Sequence, residues 1–153
     1  MKFLLSLVIL VFLCPPVSFS QDAESVFHSI RSPEELALWL SEEFLYRWRL
    51  PDKTQTLGET LHSKEGDCED FAVLASSALT RIGIPNEVLV LRFRDLKIAH
   101  AICVWQGKNG LYSFISSQEL IYTKKETIEG VIKKFYPDCE KIGRKSDRIY
   151  SRL

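Results

Sequence analysis

The sequence predicts an α+β domain. Two observations carry this: helical periodicity dominates the chain up to Arg81, and three strand-type runs then follow one another, two of them joined by turn residues. The length, 153 residues, fits one domain. With 46% apolar and 26% charged residues, the composition is that of an ordinary globular protein. A formal net charge of zero argues against a nucleic-acid binder, which needs a basic face.

The elements can be justified in chain order. Lys2 precedes the apolar run FLLSLVILVFLC, which is short for a membrane span of about 20 residues. A positive start, an apolar stretch and then small residues describe a secretory signal. Ser18 and Ser20 suit a cleavage site before Gln21. The expected organisation is a signal peptide over 1–20, a domain over 21–140 and a charged tail over 141–153. The expected location is secreted or periplasmic. An uncleaved anchor is the alternative; a lipoprotein at Cys14 would follow Leu13, which is large for that signal.

SPEELALWLSEEFLYRW reads as a helix with Ser32 as N-cap, Pro33 at N1 and Glu35 closing a capping box. Leu36, Leu40, Phe44 and Trp48 recur on one face, and Leu50-Pro51 ends it. The polar segment DKTQTLGETLHSKEGD then reads as a loop or loose helical turn. Tyr46, Trp48 and this loop either line a cleft or form a helix face with a surface loop. From Cys68 to Arg81 the pattern is helical, stopped by Gly83 and Pro85. NEVLVLRF, AHAICVW and LYSFIS are the strand-type runs, with the turn QGKNG between the last two. A final helix runs roughly from Lys125 to Phe135.

Removal of the signal leaves three cysteines, Cys68, Cys103 and Cys139. In an oxidising compartment cysteines tend to pair, and an odd number leaves one unpaired. Cys103 and Cys139 read as structural residues; a Cys103–Cys139 disulfide, which would resolve the parity, is the alternative. Cys68 stands out because it opens a helix, where unpaired N–H groups and the macrodipole favour an anion. Asp67, Glu69 and Asp70 oppose a thiolate by like charge. Yet Asp67 suits an N-cap, and Glu69 and Asp70 suit a first turn. The acidic cluster therefore reads as helix-starting chemistry, with cation binding as a further role. Gly66 lets the chain turn into the helix and lets a substrate approach.

A nucleophilic cysteine needs a base. His28, His62 and His100 are the histidines. His28 reads as a surface residue and His62 as a loop residue. His100 lies in a strand, where alternation puts His100, Ile102 and Val104 on one face and Ala101, Cys103 and Trp105 on the other. The residues alone leave open a structural histidine bonded to backbone.

GDCEDFAVLASSALTRIGIP followed by AHAICVW and GLYSFISS resembles the transglutaminase-like superfamily. The resemblance covers roughly Pro33 to Ser117 and is strongest to bacterial transglutaminase-like cysteine proteinases and related exported proteins. TQTLGETLHSKEGDCED also resembles the family's approach to its nucleophile. The resemblance implies a papain-like core, with the nucleophile helix packed on a small antiparallel sheet. It implies a thiol enzyme acting on an amide bond of a protein or peptide, as a peptidase or by acyl transfer. Cys68 matches the nucleophile and His100 the base. Where the family usually carries an aspartate, this chain has Ser116, or Ser117 if the register slips. A serine can orient an imidazole but cannot offset its charge; in serine proteases, replacing the aspartate by an amide costs about 10⁴-fold in kcat. A catalytically degenerate binding domain is therefore the alternative. Where members carry a tryptophan near the oxyanion site, this chain has Thr54-Gln55, which nominates Gln55 as an oxyanion donor beside the Cys68 N–H. No cofactor is required by the resemblance, but it admits calcium held by Asp67, Glu69 and Asp70. Three carboxylates fall short of the six or more oxygens calcium takes.

Overall fold

A computed structural model describes residues 27–48, 55–94 and 99–145. The signal, Cys14, Thr54 and the tail beyond 145 lie outside the described residues. Four helices, α1 (Pro33–Glu43), α2 (Leu57–Ser63), α3 (Cys68–Arg81) and α4 (Ile128–Phe135), surround a five-stranded antiparallel sheet. Its order is β6 (Glu119–Tyr122), β5 (Tyr112–Ser116), β4 (Ala99–Gln106), β3 (Asn86–Phe93), β7 (Cys139–Lys145). A separate two-residue parallel pair joins β1 (Leu45–Tyr46) to β2 (Glu65–Gly66).

Strand alternation sends the sheet's two faces into two cores. Val88, Ala101, Cys103, Trp105 and Ile115 pack with α1 and α3, through Leu36, Leu40, Phe71, Leu74, Ala75 and Leu79. Leu89, Leu91, Ile102, Val104 and Phe114 pack with Ile128, Val131 and Ile132 of α4. The helix that starts with Cys68 thus lies on one face, and α4 lies on the other. This is the α+β arrangement the sequence predicts. β3 spans the predicted run, and β4 and β5 form the predicted hairpin, paired Cys103↔Ile115 and Val104↔Phe114. Gly83 takes φ +77° just past α3, where only glycine adopts a left-handed backbone without strain.

Three features differ from the expectation. α1 stops at Glu43 instead of continuing to Trp48. The Leu45 and Arg47 N–H groups donate to Lys64 O and Gly66 O, which draws the chain into the parallel pair. The Gln118 amide then donates to Leu40 O (2.6 Å) and Phe44 O (2.7 Å), two carbonyls at the helix end. Second, the presumed loop contains α2, opened by a capping box between Thr56 and Glu59. Third, residues 141–145, expected in the charged tail, belong to β7 and pair with β3 from Lys141↔Arg92 to Lys145↔Val88. As expected of structural cysteines, Cys103 sits in the α1/α3 core and Cys139 packs against the α4 core, both as free thiols.

Candidate active site

Cys68 is the first residue of α3. Asp67 caps that helix, its carboxylate accepting from the backbone N–H groups of Glu69 (2.9 Å) and Asp70 (3.2 Å). Asp70 reaches back to the Asp67 N–H at 3.1 Å, completing a capping box. The helix start is thereby held from both sides, and with it the sulfur. Gly66 is required there by packing: a Cβ would stand 2.9 Å from the Asp70 Cβ. Its role is close contact with the helix it precedes, and it carries no positive φ.

The sulfur meets opposing influences. Burial pushes the Cys68 thiol up, hydrogen bonding from the Ala101 backbone N–H draws it down, and the Asp67 and Glu69 carboxylates push it up again. The net direction is upward. The expectation that the acidic residues start the helix without bearing on the sulfur is therefore corrected: Asp67 and Glu69 also disfavour the thiolate. Ala101 directly follows His100, so this influence sets the start of α3 beside the His100 segment of β4.

His100 is half-buried, and burial lowers its pKa below the ordinary 6.5. Its Nε2 lies 2.8 Å from Ser116 Oγ. Ser116, not Ser117, is therefore the β5 residue beside the ring; Ser117 leaves the strand with φ +54°. On the other side of Ser116, the Tyr136 hydroxyl lies 3.2 Å from Oγ. The Tyr136 ring also stacks obliquely on His100, with centroids 5.7 Å apart. Burial foremost pushes the Tyr136 phenol up, the Ser116 hydrogen bond draws it down, and Glu119 and Cys68 push it up again; the net direction is upward. The Tyr46 phenol also is raised, by burial and then by Cys68 and Asp67.

The remaining candidates separate from this cluster. Gln55 donates its side-chain amide to Glu65 O (2.8 Å) and Asp70 Oδ2 (3.1 Å). Its backbone N–H donates to Asp70 Oδ1 (2.7 Å). Both amide hydrogens thus have acceptors in the packing of α2 against α3, which leaves no donor for an oxyanion. His62 is exposed at the end of α2, and His28 is exposed beside Arg81. The acidic trio does not converge either. Asp67 caps, buried Asp70 binds Gln55 and its own helix start, and Glu69 pairs with Lys145 of β7. Among the described residues no group of three or more His, Cys, Asp or Glu side chains is arranged to hold a metal ion. The calcium set of the sequence reading does not fit.

Residues 19–110, more than half the chain, match the family profile of the transglutaminase-like superfamily. The chain belongs to this superfamily. The matched range holds both Cys68 and His100 and ends before Ser116 and Tyr136. A comparison with curated proteins finds no match in sequence. Among solved structures, LapG of Legionella pneumophila is similar at 16% identity and TM-score 0.56, over 82% of this chain and 71% of that one. Its calcium-bound form is similar at 18% identity and TM-score 0.51, over 70% of this chain and 59% of that one. The EGTA-treated form gives 16%, 0.51, 79% and 62%. The chain thus spans about three-fifths to seven-tenths of the LapG chains it matches. At these identities the likeness shows a shared superfamily fold.

Tyr136 is the residue of the cluster that the sequence reading missed. It lies 20 residues beyond Ser116, at the C-cap of α4. Only the packing of α4 on the sheet brings it to the histidine.

Proposed function

We propose that the chain is an exported thiol hydrolase that cleaves amide bonds in proteins or peptides. The observation that carries this reading is the 2.8 Å contact between His100 Nε2 and Ser116 Oγ. With Nε2–H donating to Ser116, Nδ1 carries the lone pair, and in this reading Nδ1 is the atom that takes the proton from Cys68. Burial favours the neutral form of both thiol and imidazole, so the resting pair is uncharged. Proton transfer then accompanies attack. Cys68 Sγ bonds to the amide carbon as its proton passes to His100. The C–N bond breaks as that proton moves to the departing amine. Water then attacks the thioester, giving a proton to His100, and the C–S bond breaks as the thiol is restored. The Cys68 backbone N–H, at the start of α3, supplies an oxyanion donor. Acyl transfer to an amine follows the same course with the amine replacing water.

Export rests on the signal-like segment 1–20. No described helix is long and apolar enough to cross a membrane. Among the described residues, the acidic set supports no calcium-dependent step.

The test is peptide-resolved labelling of the full chain with iodoacetamide, together with digestion of a peptide library. Cys68 labels faster than its upward-shifted thiol alone allows, and His100→Ala slows it. The wild type creates new N-termini that Cys68→Ala does not. Equal labelling in wild type and His100→Ala, with no cleavage, overturns the reading. That outcome favours the second one, a binding domain with degenerate chemistry, which the neutral Ser116 and the raised Cys68 thiol support.

A further inference from the structure

We propose that Tyr136 is a positioning residue, the outer member of a neutral relay Tyr136–Ser116–His100 that sets the histidine tautomer where the superfamily usually uses a carboxylate. The inference rests on the Cys68–His100 reading above and deepens it.

A hydroxyl carries one hydrogen and two lone pairs. Ser116 Oγ is 2.8 Å from His100 Nε2 and 3.2 Å from the Tyr136 hydroxyl. If the Ser116 hydrogen points at Nε2, the ring proton sits on Nδ1 and that nitrogen cannot serve as the base of the proposed pair. If that hydrogen points away, Oγ accepts from Nε2–H and Nδ1 is the base. A carboxylate has no hydrogen and enforces the second arrangement by itself. A serine needs another acceptor for its hydrogen, and the Tyr136 oxygen is placed to be one. The structure has the Tyr136 hydroxyl donating to Ser116 Oγ, but two neighbouring hydroxyls can share a bond in either sense, so the reverse polarity, Nε2–H to Oγ–H to Tyr136 oxygen, is available. It is also the polarity that strengthens when His100 becomes imidazolium.

The phenol is held in position without its hydroxyl. The Tyr136 ring packs on His100, Phe93 (6.4 Å) and Phe114 (6.0 Å), and its backbone N–H donates to Ile132 O at the end of α4. The charged or titratable groups that act on it are Glu119 of β6 and Cys68 of α3. Both favour the protonated phenol, so the relay stays neutral. Glu119 is the register partner of Ser116, which puts its backbone beside the relay.

Tyr136→Phe keeps the ring and deletes the hydroxyl, so it separates the relay from the packing. The readout is the rate of Cys68 carboxymethylation by iodoacetamide at neutral pH on the full chain, resolved by peptide. Tyr136→Phe is expected to slow it about fivefold, the size of one neutral hydrogen bond. In a Ser116→Ala background the same change has no further effect. In a Ser116→Asp background, where a carboxylate sets the tautomer alone, it costs less than about twofold. Equal loss in all three backgrounds marks a structural role and overturns the relay, as does no loss in the Ser116 background. If His100→Ala leaves the Cys68 rate unchanged, the thiol–imidazole pair itself fails and takes the relay with it. That failure is read without touching Tyr136. If His100→Ala slows the reaction and Tyr136→Phe does not, only the relay fails.

Discussion

At the scale of single residues, burial sets the chemistry at Cys68 and His100. It raises the thiol and lowers the imidazole. Both shifts favour neutral groups, and neutral groups are what a buried cluster without a carboxylate can hold. The lowered His100 has a consequence for stability. Its folded pKa lies below the unfolded value of 6.5, so the unfolded chain binds the proton more readily. Stability is therefore full above pH 6.5 and falls as the pH drops below it. His100→Gln should flatten that part of the curve, as measured by denaturant midpoints across pH. A slope unchanged in the variant would assign it to other groups. The role of Cys68 as a helix opener was legible in Asp67-Cys68-Glu69-Asp70, because caps and first turns are local. The push of Asp67 and Glu69 on the sulfur was raised as repulsion in the sequence and then set aside; its net direction depends on burial, which sequence does not display.

At the scale of elements, local signals were mostly readable and long-range ones were not. α3, β3, β4 and β5 stand close to where periodicity puts them, because their patterns are long or strictly alternating. α1 ends early because Phe44 and Leu45 are claimed by Gln118 and Lys64, partners 74 and 19 positions away. Helical spacing at Trp48 could not reveal that, and Trp48 is in fact exposed. α2 was signalled by Thr56-Leu-Gly-Glu59, a capping-box spacing that a polar composition obscured. β6 and β7 are short or charged, and only their neighbours make them strands. The junction of β2 and α3 carries a direct prediction. Gly66→Ala places a methyl 2.9 Å from the Asp70 Cβ. Either the helix start or Asp70 must shift, at about 1–3 kcal/mol. A melting curve measures the loss, and slower Cys68 labelling in the same variant reports the displaced sulfur. A variant as stable as wild type would show that the contact relaxes freely.

At the scale of the whole molecule, the sheet divides the labour. One face holds the helix that begins with Cys68, and the other holds α4 and the Tyr136 that follows it. His100, on the central strand, adjoins both through the Ala101 N–H on one side and Ser116 with Tyr136 on the other. β7 closes the sheet against β3 and returns Lys145 to Glu69, the residue after Cys68. Truncation before Cys139 should therefore strip β3 of one ladder and uncover the α4 core. It should consume a large share of the roughly 5–15 kcal/mol that a domain holds. Thermal unfolding checks this, and a truncated chain that melts like the full one would make β7 dispensable. Periodicity, caps and a short motif sufficed to read the fold class and the superfamily, and to nominate Cys68, His100 and Ser116, because those signals are local. Packing alone engages Gln55 with Glu65 and Asp70, keeps the described carboxylates from gathering around a metal, and brings Tyr136 to the histidine. Those outcomes depend on which distant groups share space and compete for the same hydrogen bonds, and no local pattern records that competition.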